Sequence, residues 1–255
     1  RQRQMCIRDS NNYVVAPVKT KFDFSKALAG RTLKEGEFTF ALKDSTGNVL
    51  QTKKNSANGV IAFDDLTFDN TQVGTHKYTV EEVIPDNKEA GMTYDTMKAE
   101  VTITVTKEGH VLKATNILPA DTEFNNTFTP GAVKVNLDFD KSLSNGTLNA
   151  GDFSFTLTGD NNVNETVTNK ANGKINFSEL SFDHEGVYNY TVKEVKGNNA
   201  DVDYDEMTIA VKVTVTKDAT TGLLAAKTEM TSTGGEATGA DDTIFNNYFV
   251  APVKA

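Results

Sequence analysis

Lysine, glutamate and asparagine recur in this chain where a strand should turn its apolar face inward, and that trio can make an amide. Between Val18 and Leu28 the residues Phe22, Phe24, Lys26 and Leu28 share one parity, and between Val133 and Leu143 so do Leu137, Phe139, Lys141 and Leu143. Strand side chains alternate with period 2, so each lysine is lodged among core residues. The same parity sets Glu82 with Tyr78 and Val80, and Glu194 with Tyr188, Tyr190 and Val192. It sets Asn126 with Phe124 and Phe128, and Asn247 with Phe245 and Phe249, leaving Asn125 and Asn246 to point outward.

A buried polar group left without a partner costs about 1–3 kcal/mol, so three per copy are expected to meet one another. A desolvated ammonium sheds its proton, and a neutral amine is a nucleophile. Lys26 would attack the side-chain carbonyl carbon of Asn126, while Glu82 polarises that carbonyl and passes protons to the departing ammonia. The product is a Lys–Asn isopeptide bond, with Glu82 as catalyst and Lys26 and Asn126 as the linked pair. Glu194, Lys141 and Asn247 take the same parts in the second copy. A lysine that snorkels, or a plain buried Lys–Glu salt bridge, is the competing reading, and it leaves the inward asparagines unexplained.

The elements that must position these groups are written twice. Gly36–Leu42 matches Gly151–Leu157, Ala57–Phe63 matches Ala171–Phe177, Tyr78–Val83 matches Tyr190–Val195, and Phe124–Phe128 matches Phe245–Phe249. The repeats run over residues 13–129 and 130–250. Asn11–Lys19 nearly repeats Asn246–Lys254, so 11–12 read as the end of a preceding repeat and 251–255 as the start of a following one. Residues 1–10 hold three of the four arginines and match neither repeat, so they read as a non-native prefix. Strands are expected at 18–28, 37–43, 59–63, 76–84, 98–106 and 122–128, seven or more per copy, with Asn58-Gly59, Asn145-Gly146 and Asn172-Gly173 supplying left-handed turns. The polar stretch Lys227 to Asp242 reads as a solvated loop that makes copy two longer late in the repeat. Short strands at regular spacing in repeats of this size define the fold class: all-β, as two tandem Ig-like β-sandwich domains.

Composition narrows the function classes. A length of 255 residues with 38% hydrophobic content supports two cores, and 15 Phe with no Trp suits strands joined by turns. The formal net charge of -9 argues against nucleic acid or an anionic membrane as partner, and no apolar run is long enough to span a bilayer. Cys6 is the one cysteine, which excludes an intramolecular disulfide. His76, His110 and His184 lack ligand spacing. Asp64, Asp65, Asp69 and the 160–165 loop lack an EF-hand pattern and read as solvated acids, so neither metal nor cofactor is expected. Tyr94-Asp95 and Tyr204-Asp205 read as packing and turn residues with no catalytic part.

The pattern of Lys26-Ala27-Leu28-Ala29-Gly30, Gly36–Phe40, Tyr78–Val83, Tyr94-Asp95 and Phe124–Phe128 resembles the isopeptide-linkage domain of Gram-positive, streptococcal-type backbone pilins and related surface adhesins. Copy two departs from it slightly, with Gly146 displaced by one residue relative to Gly30. The resemblance implies Ig-like sandwiches, a Glu-promoted Lys–Asn bond at the triads named above, and a shaft or stalk module that reacts once upon itself and is no turnover enzyme. It implies a place outside the cell, at the Gram-positive cell wall, anchored by segments outside this stretch, with neighbouring repeats of the same chain as partners. The alternative is an adhesive module whose loops hold a host protein or glycan.

Overall fold

A computed structural model describes residues 13–250 and divides the chain into two compact units, with the boundary between Thr129 and Pro130. The readings for residues 1–12 and 251–255 lie outside the described residues.

The first unit runs β1 (Val18–Thr20), β2 (Asp23–Ala29), β3 (Thr39–Asp44), β4 (Val49–Lys54), β5 (Val60–Ala62), β6 (Leu66–Phe68), β7 (Gly74–Glu82), β8 (Met92–Thr93), β9 (Lys98–Glu108), β10 (Val111–Ile117) and β11 (Glu123–Phe128). A four-stranded sheet, β5-β2-β11-β8, faces a five-stranded one, β10-β9-β7-β3-β4, and β1 pairs with β6. The second unit repeats this with β12 (Val133–Val135), β13 (Asp138–Ser144), β14 (Ser154–Gly159), β15 (Val163–Thr168), β16 (Lys174–Asn176), β17 (Leu180–Phe182), β18 (Gly186–Val195), β19 (Val202–Asp203), β20 (Thr208–Lys217), β21 (Leu224–Thr233) and β22 (Ile244–Phe249). Its sheets are β16-β13-β22-β19 and β15-β14-β18-β20-β21, with β12 on β17. Each unit is an all-β sandwich.

The segment 18–28 is two strands rather than one. Its antiparallel partner breaks at the same place: β2 pairs with β5, β1 pairs with β6, and Phe63 to Asp65 bend between them. The inward parity survives the bend, since Val18, Thr20, Phe22, Phe24 and Lys26 are all less exposed than the residues that alternate with them. Lys227–Thr233 is not loop but the outer half of β21, paired with β20 along its whole length. Its polar composition suits an edge strand: Ala226, Thr228, Met230 and Ser232 turn inward while Lys227 and Glu229 face water.

The core of the first unit includes Phe24, Phe40, Leu42, Ile61, Val80 and Phe124; that of the second includes Phe139, Phe155, Leu157, Ile175, Val192 and Phe245. Phe40 and Phe124 meet across the two sheets with ring centroids 5.1 Å apart, as Phe155 and Phe245 do at 5.2 Å. Each such ring contributes about 1.5–3 kcal/mol by burial and fixes the spacing between sheets at the level of the lysine.

Candidate functional site

The first and last long strands of each sheet-forming unit lie side by side and parallel. In the first, Lys26 on β2 is opposite Phe124 on β11, and Leu28 is opposite Asn126. In the second, Lys141 on β13 is opposite Phe245 on β22, and Leu143 opposite Asn247. Lysine and asparagine therefore emerge two rungs apart on the same inner face. A close backbone contact holds the lysine in place: its N–H donates to Gly59 O in one unit and Gly173 O in the other, both at 2.7 Å. Both glycines have positive φ, and a Cβ on Gly59 would fall 2.3 Å from Lys26 O.

The glutamate comes from the opposing sheet, at or near the end of β7 or β18. Lys26 Nζ donates to Glu82 Oε2 at 2.8 Å, and Asn126 Nδ2 donates to Glu82 Oε1 at 2.7 Å. The second unit repeats this, with Lys141 Nζ 2.9 Å from Glu194 Oε2 and Asn247 Nδ2 2.6 Å from Glu194 Oε1. All three predicted groups meet in each unit, and the lysine and glutamate side chains are at most 1% exposed. The amines also lie 4.6 Å from the ring centres of Phe38 and Phe153.

Burial pushes both lysines below their ordinary value of 10.5, against the pull of Glu82 on Lys26 and of Glu194 on Lys141. Burial also pushes the Glu194 carboxyl above its ordinary 4.5, against the Lys141 charge. In the second unit the low-dielectric interior thus works against both charges of the Lys141–Glu194 pair.

The carboxyl does not touch the asparagine's oxygen, which corrects the polarising role read from the sequence. That oxygen belongs to a donor that sequence reasoning missed. Asp95 N–H donates to Asn126 Oδ1 at 2.7 Å, and Asp205 N–H donates to Asn247 Oδ1 at 2.7 Å. A backbone N–H can only donate, so it fixes the carboxamide with Oδ1 toward the aspartate and Nδ2 toward the glutamate. The Asp95 side chain then clamps both flanks, accepting from Asn125 N at 2.7 Å and Met97 N at 2.8 Å. Asp205 does the same with Asn246 N and Met207 N, and takes Glu236 N from the 234–243 loop at 3.1 Å. The available signal was the Tyr-Asp pair standing at corresponding places in both repeats.

Other inward polar groups have different partners. Asn55 and Asn169 are buried, yet their carboxamides bond only backbone, tying Phe38 N to Lys34 O and Phe153 N to Asn149 O. They staple loops and meet no lysine. Asp69 caps the short 3-10 turn Asn70–Gln72, and Asp160 accepts from Asn189 N. Among the described residues no three His, Cys, Asp or Glu side chains gather as a metal site. Nor is any helix among them long and apolar enough to cross a membrane.

Two sandwiches in tandem, each enclosing a lysine, a glutamate and an asparagine between its first and last long strands, define a repeated β-sandwich protein with a dry amine–carboxamide site. The chain belongs to the FctA family, described as the Spy0128-like isopeptide containing domain, whose model matches residues 22–129 and 137–250. It is similar to the major pilin from Streptococcus pyogenes at 17% identity, covering 91% of this chain and 99% of that one with a TM-score of 0.32. It is also similar to a C-terminal fragment of the pilus adhesin SpaC from Lactobacillus rhamnosus GG, at 14% identity over 92% and 100% of the two chains, TM-score 0.32. No curated protein matches the sequence.

Proposed function

We propose that the chain is a shaft module of a pilin or pilin-like surface protein, outside the cell, in which each sandwich closes its own Lys–Asn amide. The observation that carries this reading is the glutamate bridge: one carboxyl oxygen faces the nitrogen that must lose a proton, and the other faces the nitrogen that must gain one. Nζ of Lys26 attacks Cγ of Asn126, and the charge that gathers on Oδ1 is met by Asp95 N–H. Oε2 of Glu82 takes a proton from Nζ while Oε1 delivers one to Nδ2. The Cγ–Nδ2 bond breaks, ammonia leaves, and the carboxyl ends as it began. Lys141, Asn247, Glu194 and Asp205 act alike. Each site reacts once, so the module is not a turnover enzyme.

Asp95 and Asp205 are positioning residues in this scheme. Asp95→Ala removes the clamp on Asn125 and Met97 while leaving the N–H in place. It is expected to slow bond formation about tenfold, a fraction of the loss seen when an oxyanion donor is removed outright. Asp95→Asn keeps an acceptor and should recover part of the rate. Time-resolved intact mass of freshly refolded protein reads both, and equal rates for all three proteins would remove Asp95 from the scheme.

The pH dependence has a definite sign. The reactive state carries one proton on the Lys141–Glu194 pair, so the rate should be bell-shaped. On the acid side it falls when the amine and carboxyl both hold protons. On the alkaline side it falls when the last proton leaves. Burial raises Glu194 and lowers Lys141, so both limbs should lie inside the window from 4.5 to 10.5 set by the ordinary values. A slowed Asp205→Ala protein, followed by mass across pH, would expose the shape; a rate rising without limit toward alkaline pH would contradict a proton-carrying glutamate.

A further inference from the structure

The two units differ at one place where the first is filled and the second is open. In the first unit the side chain of Arg31 is only 6% exposed. Its Nη2 lies 2.5 Å from Glu37 Oε1 and 2.6 Å from Glu89 Oε2, and its Cζ sits 5.2 Å from the centre of the Phe128 ring. The second unit has the same frame. Asp152 stands for Glu37, since it accepts from Asn149 N as Glu37 does from Lys34 N. Asn199 stands for Glu89, because each donates its backbone N–H to the tyrosine hydroxyl, Tyr204 or Tyr94, at 3.3 Å. Phe249 stands for Phe128, pairing with Val202 as Phe128 pairs with Met92.

The backbone around the missing residue is also in register. Asn145 takes the left-handed conformation at φ 60 that Gly30 takes at φ 94, so Gly146 stands where Arg31 does. The displaced glycine noted in the sequence is therefore a lost arginine. Where its side chain would lie there is a cleft of about 380 Å³, lined by Gly146, Asp152, Asn199, Tyr204 and Phe249 among others. Phe249 is half-buried there, whereas Phe128 beneath Arg31 is 5% exposed.

We propose that this cleft receives an arginine side chain presented by another polypeptide. The groups that would hold it are the counterparts of those that hold Arg31, with a neutral carboxamide in place of the second carboxylate: Asp152 for Glu37, Phe249 for Phe128 and Asn199 for Glu89. A planar guanidinium can lie over a ring while one of its nitrogens meets a carboxylate, as Arg31 does through Nη2, and a compact lysine ammonium lacks that flat face. A peptide arginine suits the cleft better than the free amino acid, whose α-carboxylate and α-ammonium would both have to stay hydrated beside Asp152. This reading does not depend on the isopeptide scheme.

The test is a titration of the full chain, followed by NMR of labelled Phe and Asn, with N-acetyl-arginine-methylamide as the peptide-like probe. Saturable shifts at Phe249 and Asn199 with a millimolar dissociation constant are expected, as befits so small a ligand. Asp152→Asn should weaken binding about tenfold, the worth of a hydrogen bond to a charged partner. Gly146→Arg should abolish it by occupying the cleft. That variant is sterically open: φ at Gly146 is not in the left-handed region, and the tightest contact of a new Cβ is with the flexible tip of Leu143 at 3.0 Å. Arg31→Gly should open a second site in the first unit and double the stoichiometry. Absence of saturable shifts would overturn the proposal, as would equal binding of the lysine analogue, binding that survives both Asp152→Asn and Gly146→Arg, or free arginine binding as tightly as the capped probe.

Discussion

The folded chain is expected to weigh two ammonia molecules less than its sequence, and Asn126→Ala to restore one of them. Asn247→Ala should restore the other, and the double variant both. The energetic effect is expected to be as plain. A link from Lys26 to Asn126 closes a loop of roughly 100 residues, which stabilises a domain by about 4.7 kcal/mol through the chain entropy it removes from the unfolded state. For a unit of this size that corresponds to a fall of about 20 °C in melting temperature when the link is lost. Asn126→Ala also strands Asp95 N–H without its acceptor, which adds to the loss. Calorimetry should show one transition falling and the other holding. A full-mass wild-type protein would remove the amide from the account and leave two buried, hydrogen-bonded Lys–Glu pairs.

Glu194→Gln is the second large effect. The amide is close in shape to the carboxyl and still meets Lys141 and Asn247, but it cannot accept a proton at one atom while giving one at the other. General acid–base catalysis of this kind is worth about 10²–10⁴-fold in rate. The variant should therefore fold, keep the ammonia in the second unit for far longer than wild type, and still lose it from the first. Peptide mapping after proteolysis distinguishes the two units directly. If the second link forms at the wild-type rate, the carboxyl is only a partner for the charge and another base must serve. Burial lowers Lys141, so beside Gln the amine can shed its proton and leave no uncompensated charge, and failure to link would then not be a failure to fold.

The triads were legible because burial acts on alternation, and alternation is written in residue types. Phe124, Asn126 and Phe128 sit at i, i+2 and i+4, and the structure buries all three. Repetition made the pattern stronger, since Lys141, Glu194 and Asn247 had to satisfy the same parity independently. Asp95 and Asp205 were not legible as site residues because their contribution is a backbone N–H, which every residue but proline carries. Their place depends on how the chain turns after the two-residue strand β8 or β19. Edge strands were obscured for a related reason. Val49–Lys54 and Leu224–Thr233 cover only one side of a sheet, so little apolar alternation marks them. The loss of Arg31's counterpart looked like a slipped glycine until the left-handed φ of Asn145 fixed the register.

The parallel course of β2 and β11 has a mechanical meaning. The chain enters the sheet at the amino end of one strand and leaves at the carboxyl end of its neighbour, so tension drags the two past each other and every rung of the ladder resists at once. Once Nζ of Lys26 is joined to Cγ of Asn126, the pull crosses from one strand to the next through a single amide, and nothing from Ala27 to Asn125 lies on its route. Those residues could melt without adding contour length. A string of such units would hold a fixed span under a tug that draws out ordinary sandwiches like yarn.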